Sequence, residues 1–457
     1  MQTVLVTVDS LRADHLAHYG YERDTMPVLN TLSDSGTVFE NAFSNGSYTR
    51  ISIPAIMTSN HLAYDAIDEF PTIASVLSAE DILTAVVGTQ IGIDLINGGY
   101  RFDETIDLGR DKFYDEANND RPPLEELKYQ INRPATRISQ FLQQQGLEPI
   151  YNLLQKPYNV FFDESGFQYL GYTSAEKVTD RATTWIESNA EDDFFLWVHY
   201  MEAHRPYGVH DDDPKYLDSP VDEDEIKRLM KRAGVNPGKV SEEEWGLLRD
   251  LYDSDLRYCS RHIERLFNSI KDMGIWKDLN IFFSSDHGEE FYEHGGSFHR
   301  NYPYDELMHV PLLAKSPVLD APDRVTEMRE LLDIAPTIHS IHLPDEDRDE
   351  FMGTPLDEDA DRHVFALGQP GDSAPAVAYR TEEWKLIWGE DRQQLYDLES
   401  DPREQNNLIE ADPDMASKLR EEIPHSLKTR EVKPPREPES DVDRERLEAL
   451  GYLEQRE

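Results

Sequence analysis

Thr3-Val4-Leu5-Val6-Thr7-Val8-Asp9-Ser10-Leu11-Arg12 is the stretch on which the fold reading turns. A short apolar run, rich in β-branched residues, ends abruptly on a carboxylate. Val4 to Val8 reads as a buried core strand. Asp9 then stands at its carboxyl end, where open α/β sheets place their ligands. A carboxylate there can ligate a hard cation. It can equally cap the following helix, and these residues alone leave both roles open.

The same rhythm continues outward. Met26 to Asp34 and Phe70 to Ala79 read as helices, with Pro27 suited to a first turn. Thr84 to Val87 is a strand. Thr179 to Glu187 is a helix before the strand Phe194 to Val198. Asp250 to Asp272 is a long helix before the strand Asn280 to Ser284. Val310 to Ala314 adds a strand and Leu331 to His339 a helix. Apolar runs alternating with amphipathic stretches predict an α/β fold with a mostly parallel central sheet sandwiched by helices. Residues 110–172, rich in Asn, Gln, Asp and Pro, break the rhythm and read as an insertion or lid on a catalytic body spanning 1–354. Asp222 to Glu244 reads as a solvated excursion. Beyond it, Val364 to Leu367, Ala376 to Tyr379 and Trp384 to Trp388 predict a small antiparallel sheet in a C-terminal α+β subdomain, 355–430. An extended acidic tail, 431–457, follows.

Composition narrows the partners. Asp and Glu number 91 against 45 Lys and Arg among 457 residues, a formal net charge of −46. Such a surface repels nucleic-acid phosphates and anionic membranes. Acidic residues spread along the whole chain, as in proteins of salt-adapted cytoplasms, where ionic strength screens the repulsion; a halophilic archaeal origin is the expectation. The single cysteine, Cys259, permits no intramolecular disulfide and sits at helical spacing among apolar residues, as a structural thiol does. No apolar run is long enough to span a bilayer. The first strand opens without a signal-like segment, so a soluble, cytoplasmic protein is expected.

Further segments carry candidate chemistry. Ser285-Asp286-His287-Gly288-Glu289 follows an apolar strand directly, and its adjacent carboxylate and imidazole can reach one metal. In Asn45-Gly46-Ser47-Tyr48-Thr49-Arg50-Ile51-Ser52-Ile53-Pro54, a hydroxyl that leads a helix and touches a metal can serve as nucleophile. Ser47, Thr49 and Ser52 compete for that role, and each suits helix capping as well. His199-Tyr200-Met201-Glu202-Ala203-His204-Arg205-Pro206-Tyr207 follows another strand, and Glu293-His294-Gly295 and His299 follow the Asp-His pair. Histidines concentrated past strand ends suit acid catalysis and anion binding.

Taken in order, these segments resemble the sulfatase family of the alkaline phosphatase superfamily. Asp9-Ser10-Leu11-Arg12-Ala13-Asp14-His15-Leu16 with Tyr19-Gly20 is similar to the family's opening. Gly36-Thr37-Val38-Phe39-Glu40-Asn41-Ala42-Phe43 resembles the strand leading to its nucleophile. Val310-Pro311-Leu312, Asp333-Ile334-Ala335-Pro336-Thr337, Leu395-Tyr396-Asp397-Leu398 and Asp401-Pro402-Arg403-Glu404 match later segments. The resemblance implies an alkaline-phosphatase-like fold. It implies Asp9, Asp286 and His287 as metal ligands and Thr49, counted back from Thr58, as the nucleophile. It further implies that His204 contacts the transferred group and that His299 assists the leaving group, with Arg50 and His294 also binding substrate.

The chain departs from the family too. The Cys or Ser of a C/S-x-P-x-R motif, which becomes formylglycine, is missing: Ser52-Ile53-Pro54 imitates it, but Ile56 stands where Arg belongs. Formylglycine is therefore not expected, and an unmodified Thr49 resembles superfamily members acting on phosphoesters. Ser10 replaces a second acidic ligand, and Gly88 to Gly92 lacks the usual Lys and His. The expected function is a metal-dependent hydrolase of small-molecule or glycan sulfate or phosphate esters. One Ca²⁺, Mg²⁺ or Mn²⁺ suits oxygen-rich ligands with one imidazole. Two rivals keep the fold: a phospho- or sulfo-group transferase, and a non-catalytic binding protein.

Overall fold

The computed structural model describes residues 1–88, 99–108, 173–208, 210, 214–299, 302–360, 362–368, 376–389 and 392–428. The expected insertion at 110–172, the tail at 431–457 and most of Gly88 to Gly92 lie outside them. Packing divides the chain into one unit of residues 1–107 with 172–439 and a second of 108–171 with 440–457. The first also contains the C-terminal sheet.

Among the described residues the central sheet has nine strands. Gln2–Val8 lies in the middle, flanked by Asn280–Ser285 on one side and Phe194–Tyr200 on the other, both parallel to it. Leu83–Gly88 and Glu104–Asp107 extend the Phe194 side in parallel. On the other side His309–Lys315 runs antiparallel between Asn280–Ser285 and Thr37–Phe43, and the short strands Arg324–Val325 and Arg329–Glu330 pair with Thr37–Phe43. The strands flanking the centre are buried throughout, which is why they read as continuous apolar runs. Register decides the site: Val8 lies opposite both Ser285 and Tyr200. The residues that follow, Asp9 and Asp286, therefore emerge side by side although far apart in sequence.

Helix boundaries moved where capping chemistry overrode periodicity. The helix read from Phe70 begins at Ile73, because Thr72 accepts the Ser75 N–H and Ser75 reciprocates. The helix read from Asp250 runs Glu242–Asp272, launched by a Ser241–Glu244 capping box. It buries Cys259, whose thiol is pushed far up by that burial and by Glu202. The solvated excursion expected at Asp222 to Glu244 is a correction: Asp222 caps a helix, Glu223–Val235, that buries Ile226, Leu229, Met230 and Ala233. Met26 to Asp34 shrinks to a 3-10 turn, Pro27–Leu29, and one helical turn, Asn30–Ser33.

The C-terminal sheet is an antiparallel meander of Val364–Gly368, Ala376–Arg380, Trp384–Trp388 and Gln393–Asp397, one strand more than the sequence indicated. Lys385, fully buried, fastens this meander to the segment preceding His309–Lys315. Its Nζ lies 2.6 Å from Asp305 Oδ1 and 2.6 Å from Glu404 Oε1. Burial pushes the Glu404 carboxyl up to about 7, against the pull of the Lys385 ammonium. Lys385→Met should cost about 3–5 kcal/mol in urea unfolding, because it strands the Glu404 carboxylate in the interior and leaves Asp305 only Arg380, at 3.3 Å, as a counter-charge. A loss under about 1 kcal/mol would show the cluster to be solvated. No described helix is long and apolar enough to cross a membrane.

Candidate active site

The site is assembled at the carboxyl ends of the three central strands. Ligand atoms of Asp9, Asp286 and His287 lie within 4.8 Å of one another, all buried. The loop after Asp286 is tight: Gly288 N–H donates to Leu307 O at 2.9 Å, and a Cβ on Gly288 would stand 2.0 Å from Glu306 O. The other carboxylate is set by an unusual backbone. Ser10 has φ 61, and its hydroxyl donates to Asp9 Oδ1 at 2.7 Å. The Tyr252 hydroxyl holds the Ser10 carbonyl at 2.8 Å.

Thr49 opens the helix Thr49–Thr58. Its Oγ1 donates to Asp9 Oδ2 at 3.1 Å and lies 3.0 Å from His287 Nε2. The competing hydroxyls are placed differently. Ser52, one turn on, bonds back to Tyr48 O at 3.3 Å and reaches Asp286 Oδ2 only at 3.4 Å. Ser47 is buried in the loop that pairs with Leu367 of the C-terminal meander. That loop is clasped by Asn45, which donates to Glu330 and Phe365 O and accepts from Leu332 N–H.

Electrostatics in the cluster call for a cation. Burial and the neighbouring Asp9 hold the Asp286 carboxyl above its usual range. Asp9 itself is held below that range, since His204, His199 and His287 outweigh the effect of burial. Burial opposes charge on His287, but Asp286 and Asp9 prevail and raise its pKa. The His287 tautomer is fixed by chemistry: Nδ1 lies 2.7 Å from the Gly288 carbonyl, which can only accept, so Nδ1 carries the hydrogen. Nε2 is left for a metal, the arrangement ligating histidines adopt. The donors present therefore fit one hard divalent cation taking the place of the His287 proton.

Other histidines surround the cluster. The His299 ring centroid lies 4.9 Å from those of both His287 and His204, so the structure brings these three together. Burial lowers His204 to about 4 and keeps it neutral, with Nδ1 2.6 Å from Arg205 O. Arg50 is buried, and its Nε has no hydrogen-bond partner. His294 is not brought to the cluster. Its Nε2 pairs with Glu306 at 3.0 Å and its ring stacks on Tyr304 at 3.6 Å, so its expected contact with substrate finds no support in this placement.

The sequence placed His199 among the histidines past strand ends without a task of its own, and it borders the site. Trp197 Nε1 donates to Thr7 Oγ1 at 2.8 Å, and that hydroxyl lies 2.7 Å from His199 Nδ1. Thr7 Oγ1 thus links Trp197 to His199, whose Nε2 faces Asp9 Oδ2 at 3.6 Å. A signal existed: Trp197 and His199 share one face of a strand by the period of two, and Thr7 lies in register with His199.

A mixed, mostly parallel sheet with an Asp-Asp-His group at its strand ends, facing a helix-leading hydroxyl, defines the alkaline-phosphatase-like class. The structure of the phosphonate monoester hydrolase of Agrobacterium radiobacter has this fold. It superposes with a TM-score of 0.64 at 16% identity, over 92% of this chain and 94% of that one. A protein solved with its substrate D-glucosamine-2-N,6-O-disulfate superposes with a TM-score of 0.61 at 15% identity, over 92% and 95%. The sulfatase family model matches residues 2–341, and the chain belongs to the sulfatase family. Bovine arylsulfatase K is 25% identical, a match spanning 63% of this chain and 60% of that relative.

Proposed function

We propose that this protein is a metal-dependent hydrolase of sulfate or phosphate esters with Thr49 as its nucleophile. One observation carries the reading: the Thr49 hydroxyl sits between Asp9 Oδ2 and His287 Nε2, inside the only described group that joins metal-type ligands to a nucleophile. Asp9, Asp286 and His287 would hold one Ca²⁺, Mg²⁺ or Mn²⁺, which supplies charge neutralisation for the ester oxygens and a lowered hydroxyl pKa.

The chain's own residues do the rest. Asp9 accepts the Thr49 proton's hydrogen bond and orients Oγ1. The amino end of the helix Thr49–Thr58 places its positive dipole end beside the group being transferred. Arg50, buried without a partner for Nε, offers a cation to the anionic substrate. The Thr49 proton passes to solvent as the hydroxyl ionises. Oγ1 then attacks phosphorus or sulfur, the ester bond to the leaving oxygen breaks, and His299 gives that oxygen a proton, which it regains from the water that attacks the Thr49 ester. Water then releases the anion from Thr49.

A substrate panel tests the proposal: aryl sulfate, phosphate monoester, phosphodiester and phosphonate, each with Ca²⁺, Mg²⁺ and Mn²⁺. The strongly acidic composition is read as salt adaptation, so the assays belong in high salt. Metal-dependent release of alcohol from at least one ester is expected. Turnover unaffected by a chelator would contradict the reading, as would products formed only when an acceptor alcohol is added. The relative solved with a sulfated glucosamine and the relative that is a phosphonate hydrolase are the reasons for spanning both acids.

A further inference from the structure

Glu289 closes the Asp286-His287-Gly288-Glu289 segment and is fully buried. The proposed mechanism gives it no task, yet both its oxygens are engaged. Oε1 lies 3.1 Å from His299 Nδ1, and Oε2 accepts the Tyr207 hydroxyl at 2.6 Å. Its backbone is pinned as well, because Arg12 Nη1 donates to Glu289 O at 3.0 Å. Tyr207 is itself held, packed edge-on against Tyr252 at 84°. A carboxylate fixed at so many points is poorly placed to follow its partner and well placed to direct it.

His299 is reached through an unusual backbone: Phe298, just before it, has φ 66. The ring then lies between Glu289 and the metal-type cluster, with Nδ1 turned to the carboxylate and its centroid 4.9 Å from that of His287. On an imidazole, Nε2 is the nitrogen remote from Nδ1, so a ring anchored through Nδ1 presents Nε2 to the leaving oxygen. Acid catalysis works only if a proton sits on the nitrogen facing that oxygen, and a carboxylate accepting from Nδ1–H secures it by stabilising the doubly protonated ring.

We propose that Glu289 is the positioning residue of a Glu289–His299 dyad, which aims the His299 Nε2–H at the departing alcohol. The inference rests on the reading of Thr49 and His299 given above. As Thr49 Oγ1 bonds to phosphorus or sulfur and the bond to the leaving oxygen breaks, the Nε2 proton passes to that oxygen. His299 starts doubly protonated, its Nδ1 hydrogen stays on the ring and hydrogen-bonded to Glu289 Oε1, and the imidazole is left neutral. One short segment thus provides two metal-type ligands at its start and the dyad carboxylate at its end, with the glycine between them permitting the turn.

The test is leaving-group dependence, which a merely structural carboxylate would not alter. Ethyl and 4-nitrophenyl esters of the acid selected by the substrate panel are compared in the metal-loaded protein. With Glu289→Gln, turnover of the ethyl ester should fall roughly tenfold to hundredfold. The 4-nitrophenyl ester, whose leaving group departs without a proton, should stay within about threefold. His299→Ala should show the same selectivity with a loss of about 100-fold or more, and the double variant should lose nothing further. Tyr207→Phe leaves the dyad in place and should affect the ethyl ester only a fewfold, which guards against a folding defect in the Gln variant. Equal losses on both esters in Glu289→Gln, with His299→Ala still selective, overturn the role of Glu289 alone. Equal losses in His299→Ala overturn the acid role of His299 and the dyad with it.

Discussion

Thr49→Ala is expected to abolish turnover, by about 10³-fold or more, while divalent metal still binds with nearly native affinity. The asymmetry follows from where the hydroxyl stands. Thr49 Oγ1 bridges Asp9 Oδ2 and His287 Nε2, but the grouped ligand atoms belong to Asp9, Asp286 and His287. Removing the hydroxyl leaves that set intact. Thr49→Ser keeps an oxygen at the same helix position and should retain activity within about tenfold. Ser52→Ala should stay within a fewfold, since Ser52 Oγ touches only Asp286 of the cluster, at 3.4 Å, whereas Thr49 Oγ1 bridges Asp9 and His287. Turnover is followed by alcohol release and metal affinity by calorimetry. Native rates in Thr49→Ala, with a collapse in Ser52→Ala, would transfer the nucleophile by one helical turn.

Asp286→Asn is expected to have effects of opposite sign with and without metal. In the metal-free protein two buried carboxylates face each other, and burial together with Asp9 holds Asp286 above its ordinary value. A group whose folded pKa is raised stabilises the fold only below its unfolded value, and its ionisation weighs against folding as pH rises. The metal-free Asn variant should therefore melt higher than the native chain, and its advantage should grow as pH rises from the ordinary carboxylate value to the raised folded one and then level off. Adding metal reverses the order. A cation at a hundredfold excess over its Kd stabilises a native site by about 2.7 kcal/mol, whereas the Asn variant should show almost no shift and no turnover. Thermal melts with and without Mn²⁺ measure both effects, and a native metal-induced shift in Asp286→Asn would remove Asp286 from the ligand set.

Much of this architecture could be read from the chain because its strands are buried on both faces. Val4 to Val8, Phe194 to Val198 and Asn280 to Ser284 stand out as apolar runs, and each is followed at once by polar residues of a kind that does chemistry. Adjacent parallel strands then bring Asp9 and Asp286 together through the Val8–Ser285 register. Ends of helices were harder, because reciprocal caps such as Thr72–Ser75 and Ser241–Glu244 set them locally. The misreading of Asp222 to Glu244 has a plain cause. Charge dominates the segment, yet Ile226, Leu229, Met230 and Ala233 keep the three-and-four spacing of a helix with one buried face.

The site divides along the same line. Strand order and a helix start, both visible as patterns, indicated a hydroxyl near Asp9 and His287 but left Ser47, Thr49 and Ser52 open, and only the family resemblance pointed to Thr49. The Glu289–His299 contact was not visible as a pattern, since it depends on Phe298 at a positive φ and on Tyr207 arriving from another loop. Residues with such φ values are not flagged by type unless they are glycine. His294 shows the converse: its motif suggested a substrate contact, but Glu306 and Tyr304 claim its ring.

The most direct measurement is anomalous scattering at the manganese edge from crystals soaked in Mn²⁺. One peak is expected within roughly 2.0–2.4 Å of carboxylate oxygens from Asp9 and Asp286 and of His287 Nε2. A peak only at the second group of metal-type residues, His294, Glu306 and Glu404, or none near Asp9, would contradict a cation shared by these strand ends.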